Sequence, residues 1–313
     1  MKKTQYVSLW GIFLLLSAVG LSQTTPPTRM DIGTKLLVPS SAKTNNFTSL
    51  LVVLNMDPSA SNNILITARN TGGNVIGTPM NVTLPVGGRF RSPDILGAMG
   101  ASVGAFGPIT VESTNNLMLA AISEVASVQG PAGFFPGVNI NSSWLKGYIS
   151  EVDDTGDPGI VGTHRTNLGI NTVSATPANV IITLFSDGGT SLGSVTSTVA
   201  ANGMQQLNSV ARTILNSAGP SGQNGYLQLS SDQPIIAWAS KIDNDTGDPS
   251  FEIGIGASSS GSTSTIQPGV VDFRNYFFTM ALALIIPVLI VFTKWGTRLM
   301  QDLGNNLPAT EPI

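Results

Sequence analysis

The side chains best equipped for chemistry are carboxylates, and the chain writes them in two near-identical phrases, "DDTGDP" from Asp153 and "DNDTGDP" from Asp243. Asp153, Asp154 and Asp157 of the first, and Asp243, Asp245 and Asp248 of the second, are hard oxygen donors of the kind calcium prefers, about six to eight at about 2.3 to 2.6 Å. The spacing excludes an EF-hand. Counting from Asp243, the fifth position is Gly247 and the twelfth is Gly254, where that motif needs a ligand and a glutamate.

A structural calcium ion shared between strand-end loops stays open, as do two other readings. Asp and Asn followed by Thr, Gly and Pro form turns readily, since short polar side chains bond to their own backbone and glycine supplies positive φ. A cluster of acids could also receive a cationic partner. If the strands here reverse direction at each turn, both phrases and the "SDGG" turn with Asp187 fall at one end of a sandwich. Unpaired carboxylates there would repel each other, and a bound cation would relieve that repulsion. The corresponding loop of the first half, "VASVQGPAG" (residues 125–133), carries no acid, so the fold itself does not need the charge. The turn without metal is therefore the preferred reading.

Other routes to catalysis find little support. His164 is the single histidine, it precedes "RTNLGIN" where a strand begins, and no serine or acid near it has nucleophile-elbow spacing. We read it as surface. Cysteine is absent, which removes thiolate zinc sites, disulfides and cysteine nucleophiles. Paired carboxylates serve glycosidases, but those enzymes need an aromatic cleft and the aromatic fraction is 6%. Trp238 lies mid-strand in "IIAWASK" and reads as core rather than as a sugar platform. The glycines of "GNVIG", "SDGGTSLG" and "PVGG" read as hairpin glycines, without the strand-to-helix setting of a phosphate loop. Residues 23–275 hold eleven basic against sixteen acidic side chains, which disfavours nucleic acid as a partner.

The elements that must position these residues are strands. "YLQLS" (residues 226–230) alternates apolar and polar, as one buried and one wet face require. Short apolar runs such as "NVIITLF" (179–185) and "IIAWAS" (235–240) are bounded by Gly, Asn, Asp and Pro. The chain also repeats itself. "FTSLLVVLNMDPSASNNILITARNTGGNVIG" (47–77) matches "HRTNLGINTVSATPANVIITLFSDGGTSLG" (164–193), and the match continues through "LPVGGRF" and "VAANGMQ" to "VESTNNLMLAAISEV" and "LSSDQPIIAWASKI". Each copy has the size of one β-sandwich. One helical turn is expected at "SVARTIL" (209–215) and at its counterpart "SPDILGAM" (92–99). Charge divides unevenly: residues 34–137 carry five Lys or Arg against four acids, residues 144–254 four against ten.

Both ends carry membrane signals. Residues 1–22 have Lys2 and Lys3, an apolar stretch and small residues near the end, the pattern of a cleaved secretory signal peptide. Residues 276–293, "YFFTMALALIIPVLIVFT", are free of charge and long enough as a helix to span about 27 Å of bilayer. Lys294 and Arg298 behind that span place the tail, residues 294–313, in the cytoplasm. The tail's "LPATE" lacks the glycine of a sortase signal and follows the apolar span instead of preceding it, so wall sorting is rejected. Residues 256–270 are Ser-, Gly- and Thr-rich and read as a flexible stalk.

At "RTNLGIN" (165–171) and "WASKIDNDTGDPSF" (238–251) the chain resembles a class of repeat found in secreted and surface proteins of environmental bacteria. A copy there opens with an Arg-Thr-Asn phrase and closes with an Ile-Asp-Asn, Thr, Asp-Pro phrase. The resemblance covers the second copy well and the first weakly. It implies an immunoglobulin-like sandwich, assigns no catalytic residue, and makes the acidic phrase part of the closing turn. The expected architecture is all-β, with two tandem immunoglobulin-like β-sandwich domains (33–137 and 144–254) and one C-terminal transmembrane helix. The expected role is that of an exported, single-pass membrane protein of the cell envelope. It would be structural or adhesive, with a protein or glycan partner, no catalysis and no cofactor beyond possible structural calcium. The alternative is a periplasmic scaffolding or sensory subunit acting through its transmembrane helix.

Overall fold

The computed structural model describes residues 31–127 and 132–257. They are nearly all β, in antiparallel sheets, and lie within one compact unit, Met1–Ser262. In the first half, β1 (Lys35–Lys43), β2 (Phe47–Asn55), β3 (Asn62–Ala68), β4 (Met80–Leu84) and β5 (Arg89–Ser92) lead into a short helix, Ile95–Ala98. β6 (Ala105–Ser113), β7 (Leu119–Ser127), β8 (Ala132–Pro136) and β9 (Val138–Asn139) follow. They form one sheet in the order β4-β3-β6-β1-β9 and another in the order β5-β2-β7-β8.

The second half runs through β10 (Trp144–Asp154), β11 (His164–Thr172), β12 (Ala178–Ser186), β13 (Ser191–Val199) and β14 (Met204–Leu207) to a helix, Val210–Leu215. β15 (Gln223–Asp243), β16 (Pro249–Ile253) and β17 (Ile255–Gly256) complete it. The start of β15 pairs with β12 and β10, giving the order β13-β12-β15-β10-β17, while its end pairs with β11 and β16. Strand for strand this is the pairing of the first half. β6 and β7, joined there by a loop, are here fused into one bent strand. Pro234 sits at the bend, where the ladder changes partners and a missing N–H costs least.

Alternation decides which faces are buried. β3 and β12 bury every second residue against the opposing sheet, with Ile64, Ile66, Val180, Ile182 and Leu184 at or near zero exposure. β1 and the later part of β15 break the pattern, being buried on consecutive residues. The reason is the packing of the two halves on each other. Leu37, Val138 and Ile236 form a small cluster between them. Beside it Trp238 stands edge-on to Phe135 (5.2 Å, 87°), and Phe251 lies 4.4 Å from Phe135 and 5.6 Å from Trp238. The buried Asn171 accepts from Trp238 Nε1 at 3.1 Å and donates through Nδ2 to the Pro39 carbonyl at 2.9 Å. Gly169 is required below the indole, since a Cβ there would lie 2.0 Å from Trp238 Cε2.

The helical turns fall where the repeat places them, and Trp238 is core, as expected. Among the described residues no helix is long and apolar enough to cross a membrane. The segments expected to be signal peptide (1–22), transmembrane helix (276–293) and tail (294–313) lie outside the described residues, as does the stalk from residue 258 onward.

Candidate functional site

Both acidic phrases sit at one end of the second half. His164 at the start of β11 pairs with Asp243 at the end of β15, and Asp153 and Asp154 at the end of β10 pair with Asn224 and Gln223 at its beginning. Ser186 pairs with Gly225, so the turn carrying Asp187 lies at the same end. The alternating strand directions expected from the sequence are what bring them there.

The second phrase builds a tight hairpin turn between β15 and β16. Asp243 accepts the backbone N–H of Asp245 at 2.8 Å and of Thr246 at 3.1 Å. Its own backbone bonds to Asp248 and Gly247 close the turn, with Gly247 at φ +78°. The N–H groups of Thr246 and Asp245 hold the Asp243 carboxyl below its ordinary range, and His164 adds to this. Asp245 and Asp248 are exposed.

The first phrase is part of a longer loop and folds differently. Thr155 and His164 exchange hydrogen bonds across its base, at 3.0 and 3.1 Å. Gly156 is buried against Thr163, where a Cβ would lie 2.2 Å from the hydroxyl oxygen. Asn244, in the middle of the second phrase, joins the two. Its Nδ2 donates to the Gly156 carbonyl at 2.9 Å and to Thr163 Oγ1 at 3.2 Å, its backbone N–H donates to the Thr163 carbonyl, and its Oδ1 accepts from Arg165. Burial lowers the pKa of Arg165.

Basic side chains of the chain itself face the carboxylates. His164 Nδ1 lies 3.2 Å from Asp153 Oδ2, and its Nε2 lies 4.0 Å from Asp243 Oδ2. Lys241 pairs with Glu151 and reaches Asp153 at 3.6 Å. Burial depresses the Lys241 amine, but Glu151 and Asp153 outweigh it and the net shift is upward. Asp154 is fully buried and meets Arg212 of the helix at 3.4 Å, and the same guanidinium reaches the exposed Asp157 at 3.0 Å. Asp154 Oδ2 and Arg212 Nε are buried without a hydrogen-bond partner.

Of the six carboxylates singled out in the sequence, Asp153 and Asp243 thus share His164, Asp154 and Asp157 share Arg212, and Asp245 and Asp248 face solvent. Among the described residues no three His, Asp or Glu side chains converge on a point fit for a metal ion. The sequence reading missed Arg212 and Asn244. Arg212 sits in a helix distant in sequence from either phrase, whereas Asn244 stands inside "DND" between charged residues that carry the stronger chemical signal.

A depression of about 590 Å³ in the first half lies between the loop after β3 and the loop before β6, lined by Asn70, Thr71, Ile76, Ser102, Val103 and Phe106 among others. No titratable side chain lines it.

No known protein family matches the chain, and no curated protein matches it. Among solved structures it is similar to the Thermotoga maritima protein 1070, with 15% identity over 37% of this chain and 96% of that one and a TM-score of 0.30. It is also similar to a candidate beta-galactosidase of Bacteroides fragilis, with 9% identity over 70% of this chain and 32% of that one and a TM-score of 0.14. Neither likeness is close enough to carry an argument about fold or activity.

Proposed function

We propose that this chain is an exported, membrane-anchored protein whose two immunoglobulin-like sandwich domains serve a structural or adhesive role at the cell envelope, meeting a protein or glycan partner through loops and sheet faces without catalysis. The observation that carries the reading is the use to which the reactive groups are put. The histidine, Arg212 and the loop carboxylates fasten two connections to each other, on a body whose halves are joined at Trp238. Such side chains stiffen a scaffold. The sequence adds the export signal, the stalk and the apolar span.

The test is protease shaving of intact cells expressing the full chain with a tag after Ile313. The expected outcome is a membrane-bound tagged fragment with the β domains released. A fully protected or fully soluble protein overturns the reading.

A structural calcium ion is the second reading, favoured by the buried Asp154 Oδ2 that accepts no hydrogen bond. Calcium at a hundred times its dissociation constant would add about 2.7 kcal/mol. Melting curves with calcium and with chelator decide it, and coincident curves reject it.

A further inference from the structure

Sheet edges expose unpaired backbone N–H and C=O groups, and proteins protect them with short strands, prolines or charges. Among the described residues, seven of the eight edge strands are short, between two and five residues. β5 adds Arg89 and Arg91, β8 ends at Pro136, β16 begins at Pro249 and carries Glu252, and Pro79 precedes β4. β13 departs from all of them. It is nine residues long, reads SLGSVTSTV without a charge or a proline, and among the described residues it pairs with β12 alone. Its counterpart in the first half, β4, has five residues.

We propose that β13 is the edge through which two copies of this chain pair, antiparallel, about a two-fold axis. Three observations select a second copy as the occupant. The exposed residues of the strand are Ser191, at its first position, and the alternating set Ser194, Thr196 and Thr198. A two-fold axis at Thr196 therefore sets hydroxyl against hydroxyl throughout the alternating set, Thr196 with itself and Ser194 with Thr198, a pairing that stabilises sheets. The strand carries no charge that would repel its own copy. The acidic loops lie at the end of the sheet where β13 begins, so antiparallel pairing sets the two acidic ends apart by about the strand length, about 30 Å at about 3.3 Å per residue, which exceeds a screening length of about 8 Å. An in-register parallel partner would bring them side by side. The chain's own continuation beyond Ala257 leaves from β17, on the opposite edge of the sheet.

The absence of cysteine makes the test direct. Ser194→Cys, Thr196→Cys and Thr198→Cys, each in the full chain in the host membrane, are oxidised mildly and run on non-reducing gels. Directly opposed cross-strand residues have the separation a disulfide requires. The proposal expects a strong dimer band with Thr196→Cys and weak ones with the other two, and a mixed disulfide when Ser194→Cys and Thr198→Cys chains are co-expressed. Equal bands at all three, the signature of parallel pairing, overturn it. So does cross-linking no stronger than that of Thr83→Cys on β4. Light scattering of the full chain in detergent gives an independent readout. A mass that halves with Thr196→Lys and holds with Thr83→Lys supports the pairing, and a mass unmoved by either, whether monomer or dimer, refutes it.

Discussion

The last residue of β1 and the last residue of β10 occupy the same place in the two halves, opposite the first residues of β6 and β15. At the first is Lys43, which meets Asp94 beside the helix Ile95–Ala98 at 3.4 Å, and at the second is Asp154, which meets Arg212 inside the helix Val210–Leu215 at 3.4 Å. The pair is kept and the charges are exchanged. A position that accepts either sign requires a partner across the strand-to-helix gap more than it requires a carboxylate, and this weakens the case for Asp154 as a metal ligand. The two pairs differ in depth. Lys43 and Asp94 are partly exposed, at 24% and 42%, while Asp154 has no exposure.

That difference in depth sets the order of the expected effects. The largest belongs to the buried pair, because removing one member leaves an uncompensated charge inside the protein. Arg212→Met or Asp154→Lys alone should cost about 3 to 5 kcal/mol in denaturant unfolding. Asp154→Lys with Arg212→Asp, which copies the polarity of the first half, should recover most of that loss. If the double variant is no better than the singles, the equivalence of the two positions is wrong. In the first half the partly exposed pair should matter less. Lys43→Ala is expected to cost less than about 1 kcal/mol, and Asp94→Ala about 1 kcal/mol, mostly through loss of the helix cap to the Gly97 N–H.

Between these lies Asn244, which has no counterpart in the uncharged loop of the first half. Asn244→Ala strands the Gly156 carbonyl and the Arg165 guanidinium, at a cost of about 1 to 3 kcal/mol. Hydrogen exchange should show the protection lost at residues 156–163 while β12 is unaffected. Equal loss in both would mean that Asn244 serves the whole second half and not the loop junction.

How much of this was legible in the sequence follows from the range of each interaction. Alternation in "NVIITLF" and "YLQLS" is local, and it marked β12 and the start of β15 correctly. The repeat was legible because strand, turn and helix recur in the same order, and it placed both short helices. The fusion of two strands into β15 was not, since Pro234 reads as a terminator when the change of ladder partners around it is unseen. Trp238 was recognisable as core from its apolar neighbours. That its core is shared with Phe135 and Phe251, and held by Asn171 to Pro39, depends on contacts across more than a hundred residues for Phe135 and Pro39, beyond any local pattern. At the acidic end the turn chemistry of Asp243 was legible from "DNDTG". The place of Asp154 under Arg212 was not, because nothing in "DDTGDP" distinguishes the buried aspartate from its neighbours.

The smallest expected effect separates the two phrases by pH. The Asp243 carboxyl is held below its ordinary value of 3.8 by the N–H groups of Thr246 and Asp245. A carboxyl lowered in the folded state adds stability that is present above the ordinary value and is lost as pH falls through the lowered one. Asn can keep the turn's hydrogen bonds but not the charge. The melting temperature of Asp243→Asn should therefore lie slightly below that of the parent at neutral pH, and the gap should close as the solution is taken below 3.8. A gap that persists in acid would assign the role of Asp243 to its shape alone, and would leave the buried pair under Arg212 as the place where charge matters at this end of the molecule.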